Sequence, residues 1–236
     1  MISIIIPAHN ERQNLTHLLP YLLQLSSAIP VEVIVALSCE NHDGPYDFLD
    51  SNSVQLLKCP GRGRAVQMNA AVERAKGDIL VFLHADVVPP RSFFQDIVQA
   101  LDEGYVAGFF SYKFDKDSIL LKINASFTAK DGFFTGGGDQ CLFIKKPVFM
   151  ELGRFDEEQG LMEDFEFFQR MKRQDINYTI IKNDLIVSAR KYSVNSYLRV
   201  NLANMLLVLL FKFGYSSQRL KALHDKLLRV SYKTNT

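Results

Sequence analysis

Cysteine is scarce in this chain. Three of the 236 residues are cysteine, at Cys39, Cys59 and Cys141. They are scattered and odd in number, with neither metal-ligand spacing nor a disulfide framework, which points to a reducing, cytoplasmic setting. No apolar run reaches the roughly 18 residues of a membrane-spanning helix, and no basic leader precedes the first apolar segment, so no signal peptide is expected. An excess of charge is missing as well. Lys and Arg number 27 against 26 Asp and Glu, a net charge of +1, so the chain lacks the electrostatic footprint of a nucleic-acid binder. The common phosphate cradles are also absent. Pro7 to Glu11 contains no glycine, which rules out the three-glycine dinucleotide fingerprint, and no Gly-Lys-Ser or Gly-Lys-Thr loop occurs. No spacing suggests a Ser-His-Asp or Cys-His arrangement, and there is no internal repeat or low-complexity stretch.

The apolar fraction of 47% and charged fraction of 22% are those of an ordinary globular protein, long enough to bury a substantial core. The order of elements predicts an α/β fold with a mostly parallel sheet and helices on both faces. Ile2 to Ile6, Val31 to Leu37, Val54 to Leu57 and Ile79 to Leu83 read as strands. Between them, Leu15, Leu18, Leu19, Leu22 and Leu23 recur at helical spacing, with Asn10 as N-cap and Gln13 in the capping-box position. Tyr46 to Ser51 reads as a short helix, and a helix from Ala65 to Ala75 ends at Gly77. Ser92 caps a helix to Asp102. A soft boundary near residue 104 separates a nucleotide-binding half, 1–104, from an acceptor and catalytic half, 105–192, with a helical region, 193–236, after it. In the second half Tyr105 to Phe114 and Cys141 to Ile144 read as strands, as do the short runs Tyr178 to Lys182 and Leu185 to Ala189. Ile119 to Phe134, Pro147 to Leu152, Met162 to Lys172, Tyr197 to Phe213 and Gln218 to Val230 read as helices.

The stretch from Gly77 to Asp86 organises the rest. Ile79 to Leu83 is apolar on both faces, as a central strand is, and it ends at His84 and Asp86. Open α/β sheets bind ligands at the carboxyl ends of their strands, and a carboxylate there is placed to hold a divalent cation. The plainer reading is a turn before Pro89-Pro90. Gly61-Arg62-Gly63-Arg64 opens a helix, where free N–H groups and guanidinium forks suit an anion; an ordinary β–α turn fits it equally. Glu163-Asp164, with Glu166 behind, begins another helix, where the dipole favours carboxylates in any case. The functional alternative is a general base.

Taken in order, Ser3 to Glu11 ("SIIIPAHNE"), Arg64 to Asn69, Gly77 to Asp86 ("GDILVFLHAD") and Glu163-Asp164 together resemble the inverting family-two glycosyltransferases of the GT-A fold, up to about Arg190. The Gly-Arg-Gly-Arg-Ala-Val-Gln-Met-Asn stretch and the His-Ala-Asp variant are most similar to a bacterial branch sometimes associated with arsenosugar biosynthesis. The resemblance implies transfer of a sugar from a nucleotide-diphosphate donor, a UDP-sugar foremost, to an acceptor hydroxyl, assisted by manganese or magnesium. It implies nucleotide-binding roles for Pro7, Ala8, Asn10, Glu11, Arg64, Asn69 and His84, and a metal-binding role for Asp86. It further implies catalytic roles for Asp164 and Glu163, an acceptor and sugar pocket at Gly137, Gly138 and Asp139, and diphosphate contact by Arg190. Asp86 and Asp164 would then meet across one cleft.

The sequence departs from that pattern twice. His84 replaces the first aspartate of Asp-x-Asp; imidazole can donate a hydrogen bond or bind metal. Leu37 stands near the place of an aspartate that reads the base or ribose, for which Glu40 or Asp43 could substitute. Two other readings follow: a degenerate sugar-nucleotide-binding protein without turnover, and a nucleotidyltransferase, which would require a glycine-rich triphosphate loop after the first strand. The C-terminal helices either pack on the sheet or on a second subunit as a homo-oligomer, or lie on the inner face of an anionic membrane. A continuous apolar face is more often core than anchor.

Overall fold

The computed structural model describes residues 1–26, 29–44, 46, 53–132 and 135–229. Strands β1 (Ile2–Ala8), β2 (Val31–Leu37), β3 (Val54–Lys58) and β4 (Ile79–Phe82) pair in parallel in the order β3-β2-β1-β4, with helices α1 (Arg12–Leu25) and α2 (Arg64–Arg74) as crossovers. Beyond β4 the sheet continues as β7-β6-β8-β5. β7 (Phe143–Lys145) runs antiparallel to both β4 and β6 (Ala107–Phe114). β8 (Tyr178–Val187) lies parallel to β6, and the two-residue β5 (Val87–Val88) pairs antiparallel with β8. The remaining helices are α3 (Phe93–Asp102), α4 (Ile119–Ser126), α5 (Lys146–Glu151), α6 (Glu163–Arg173), α7 (Arg190–Val194), α8 (Tyr197–Lys212) and α9 (Ser217–Leu227).

Alternation along the central strands divides the core in two. Ile4, Ile6, Val81 and Leu83 face α1 and α3, while Ile5, Leu80 and Phe82 face α2, α5 and α6. Side chains on successive strand residues point to opposite faces, so a strand that is apolar throughout needs a helix layer on each side. β1 and β4 meet that condition.

Several local expectations differ from what forms. β1 runs through Pro7 to Ala8, so the loop is only His9 to Glu11. Glu11, not Asn10, occupies the N-cap of α1, without a side-chain cap bond. Asn10 instead adopts φ 55° and ties two loops together: its N–H donates to Asn41 Oδ1 at 2.8 Å, and its Oδ1 accepts from His42 N at 2.9 Å. Helix α2 ends at Arg74, before Gly77. Gly77 is required by close approach, since a Cβ there would stand 2.6 Å from Ser3 Oγ and 2.8 Å from the Met1 carbonyl. α4 stops at Ser126, and the two runs from Tyr178 form one strand opposite an irregularity at Ser111, whose hydroxyl donates to Asp184 at 2.6 Å. β5 and α7 are too short to carry a periodic signal. The helix expected over Tyr46 to Ser51 falls, apart from Tyr46, outside the described residues.

Phe149 anchors the α2/α6 side. It is fully buried, with Phe82, Phe155 and Phe167 at 5.1, 5.2 and 5.1 Å between ring centroids. Phe149→Ala leaves a void that three rigid rings cannot refill, and should cost about 3–5 kcal/mol in a urea unfolding titration.

Candidate active site

The carboxyl ends of β1, β2 and β4 carry the loops at His9–Glu11, residues 38–44 and Leu83–Asp86, all on one edge of the sheet. Buried Gln67 on α2 holds this edge together. Its Nε2 donates to the carbonyls of Ala8 (3.0 Å) and Ala36 (2.6 Å), joining the ends of β1 and β2. Its role depends on a helix face turned toward two strand ends, which a linear pattern does not display.

Two clusters form at this edge. The first gathers around Gly138. Its N–H donates to Asp164 Oδ2, and a Cβ at this glycine would lie 2.6 Å from the His84 ring and 2.8 Å from Asp164 Oδ2. Asp164 Oδ1 accepts from Phe165 N at 2.8 Å, so two backbone donors orient the carboxylate. His84 Nδ1 stands 3.3 Å from Asp139 Oδ1, and its Nε2 is 3.5 Å from Arg64 Nη1. Arg64 Nε meets Glu163 Oε1 at 2.7 Å. Burial, reinforced by the charge of Glu163, pushes the Asp164 carboxyl up to about 6. Burial alone would raise Asp139 too, but the hydrogen bond and charge of His84, with Lys191 and Arg64, hold it well below the carboxylate range. Burial works against charge on His84, yet Asp139 and Asp86 outweigh it and raise the imidazole above its ordinary value.

The second cluster is organised by Arg190, at the start of α7. Its Nη2 lies 2.7 Å from Glu11 Oε1 and 3.1 Å from Asp86 Oδ2. Burial raises the Asp86 carboxyl despite Arg190. Asp86 and Asp164 do not wall the same cavity. Asp164 faces one of about 330 Å³ with Arg64, His84, Asp139, Lys191 and Tyr192. Asp86 faces a neighbouring one of about 430 Å³ with Asn14, His17, Tyr21 and Asp115. The chain turns at Ala85, closed by Val87 N on the His84 carbonyl at 3.2 Å, so His84 and Asp86 no longer share the side that strand geometry would give them. His84 acts electrostatically on both carboxylates, and Asp139 acts on Asp86.

Other expected residues are placed differently. Asn69 does not face either cavity: it is buried, its Nδ2 donates to the Phe155 carbonyl at 2.8 Å and Glu157 at 2.9 Å, and its Oδ1 accepts from Phe155 N. Its amide is spent on holding the loop before α6. Glu163 is buried against Arg64 and orients that guanidinium rather than facing the 330 Å³ cavity with Asp164. Ala8 has its carbonyl committed to Gln67 and to Ser38 N. Glu40 pairs with Arg62, which leads Arg62 away from the helix start, and Asp43 accepts from Arg12 N, Asn41 and Tyr46. Gly137 and Gly138 do line the cavity, as do Tyr112, Asn124, Asn201 and His224. These last four come from β6, α4, α8 and α9, distant segments that no local motif links.

Asp86 offers one carboxylate to a cation. Among the described residues no three His, Cys, Asp or Glu side chains converge into a cation cage. Magnesium-type ions take one or two carboxylates and complete their shell with phosphate oxygens and water, so this donor set fits a cation shared with a bound diphosphate.

Among solved structures, the chain resembles TarS of S. aureus in complex with UDP-GlcNAc, with TM-score 0.63 and 16% identity over 97% of this chain and 73% of that one. It also resembles the mannosyltransferase PcManGT of Pyrobaculum calidifontis in complex with GDP-Man and Mn2+, with TM-score 0.62 and 18% identity over 96% of this chain and 68% of the other. These likenesses establish the GT-A fold. Curated relatives include an uncharacterized glycosyltransferase of Synechocystis sp., 25% identical over 114 residues. Another is the undecaprenyl-phosphate 4-deoxy-4-formamido-L-arabinose transferase of Aeromonas hydrophila, 26% identical over 113. Each alignment spans 44% of this chain and 35% of the relative. Residues 3–155, well over half the chain, match the family described as Glycosyl transferase family 2; the chain belongs to that family.

Proposed function

We propose that this protein transfers a sugar from a nucleotide-diphosphate donor to an acceptor hydroxyl by a single inverting displacement, with Asp164 as general base. The observation that carries the reading is the setting of Asp164: a carboxylate pushed up to about 6, fixed by two backbone donors, on the wall of a cavity that also holds Arg64, His84 and Lys191. A base tuned toward neutrality is more effective than an ordinary carboxylate. Family membership and the sugar-nucleotide complexes of the two structural relatives support the donor class.

In this reading the acceptor oxygen attacks the anomeric carbon as its proton passes to Asp164. The bond from that carbon to the phosphate oxygen breaks, and its electron pair leaves with the nucleoside diphosphate. Arg64 and Lys191 supply positive charge facing the cavity, and Arg190 does so beside Asp86. A divalent cation held by Asp86, manganese or magnesium, would supply further charge neutralisation on the leaving group. Asp139 fixes the His84 ring, and Glu163 fixes Arg64.

Asp164→Asn should reduce turnover of the donor by at least about 10³-fold, while nucleoside-diphosphate affinity, read by thermal shift, stays within a few-fold. Equal turnover by both proteins would remove the base assignment, and donor binding without turnover by the wild type would favour a sugar-nucleotide binder. In the wild type, the base is lost by protonation below about pH 6. The rate kcat/KM should therefore fall about tenfold per pH unit on the acid side and level off above neutrality. Gly138→Ala forces a methyl group into the space shared by His84 and Asp164; kcat should drop by about 10²-fold, and the overpacking should lower the melting temperature by several degrees.

A further inference from the structure

Helix α8 is apolar on both of its faces, and only one of them is covered. Val200, Ala203, Leu207 and Val208 are buried against the body and α9. The other face presents Leu198 (69% exposed), Leu202 (58%), Met205, Leu206 and Leu209, and continues past the helix end to Phe213 (79%). Their spacing of three and four residues makes one continuous stripe. Beside it, α4 and its C-cap present Ile119 (77%), Ile123 and Phe127 (65%) to solvent. The two helices are fastened together by Tyr197 Oη, which donates to the Leu120 carbonyl at 3.0 Å, and by Asn124 on Asn201 at 2.7 Å. Soluble monomers rarely leave so much contiguous apolar surface open.

The charge of the C-terminal helices is one-sided, while at α4 the exposed Lys122 pairs with Asp117. Residues 195–229 carry six Lys or Arg against a single acid, Asp225, whereas the whole chain is +1. Arg199 and Lys212 stand at either end of the α8 stripe, and Arg219, Lys221 and Lys226 are exposed on α9. Long basic side chains at the margins of an apolar stripe suit an interface between hydrocarbon and anionic headgroups. A twofold contact between identical copies would place two such positive faces against each other. Among the described residues no helix is long and apolar enough to cross a membrane.

We infer that the α4–α8–α9 face docks on an anionic lipid bilayer. Asn124 on α4, Phe127 just past its end, and Asn201 and Asn204 on α8 line the cavity that holds Asp164, so docking brings the cavity beside the headgroup layer. The outer face is independent of the chemistry assigned to Asp164.

Cosedimentation of the full chain with phosphatidylcholine vesicles, with and without phosphatidylglycerol, tests this. Binding to the anionic vesicles should exceed binding to the neutral ones by at least about tenfold and weaken at high salt, as several basic residues each contribute near the surface. The variant Leu198→Gln/Leu202→Gln/Phe213→Gln, altered only at exposed positions, should lose about tenfold in binding with nucleoside-diphosphate affinity unchanged. Arg219→Glu/Lys221→Glu should remove the preference for anionic lipid. No vesicle binding, or equal binding to both vesicle types, would overturn the inference. So would a concentration-dependent dimer in sedimentation equilibrium that the glutamine variant abolishes, which would make a second copy the occupant.

Discussion

The arrangement at the sheet edge depends on how closely one stretch of backbone can approach two side chains. Gly138 passes near enough to Asp164 to donate its N–H and near enough to His84 that any Cβ would overlap the ring. That approach draws the end of β4 and the start of α6 together. Without it, the histidine and the carboxylate belong to elements about 80 residues apart with no reason to meet. The helix start adds its own dipole and free N–H groups, while burial and Glu163 oppose ionisation; the second influence prevails at Asp164.

Around this contact, ionisable groups form two chains, in which each basic group has an acidic neighbour. Glu163 faces Arg64, Arg64 approaches His84, and His84 faces Asp139; Glu11 faces Arg190, which faces Asp86. Such chains hold their members in register because each group has a partner of opposite character on at least one side, and the cost of burying any one alone is high. They also place positive charge from Arg64, Lys191 and Arg190 at this sheet edge, without a glycine-rich loop. The enclosing side chains come from both halves of the sheet and from the C-terminal helices, which lend Asn201 and His224 to the cavity wall.

Much of the fold was legible because its signals are periodic or repetitive. The doubly apolar runs Ile2–Ile6 and Ile79–Leu83 fixed the central strands, and helical spacing marked α1, α2 and α3. What escaped were features set by partners rather than by local pattern. β5 has two residues and exists only because Val187 and Ile186 lie opposite. The turn at Ala85, which sends His84 and Asp86 to different cavities, has no compositional mark. Asn69 lies within the stretch from Arg64 that resembles the family, yet its amide is used in packing α2 against the loop at Phe155. Motif order marks the family, whereas the direction of each motif side chain is set by tertiary packing.

The insertion of β7 between β4 and β6 bears on how the protein is made. β4 finds its first neighbour, β1, early in the chain, but its other edge is closed only by residues 143–145. About 60 residues separate the two, so a ribosome adding about 5–20 residues per second would leave that edge of backbone donors and acceptors unpaired for roughly 3–12 s. An open strand edge is a template for pairing with other chains. The nascent polypeptide is thus most exposed to mispairing after its parallel half has assembled and before Phe143 emerges, an interval in which chaperone capture would do the most good.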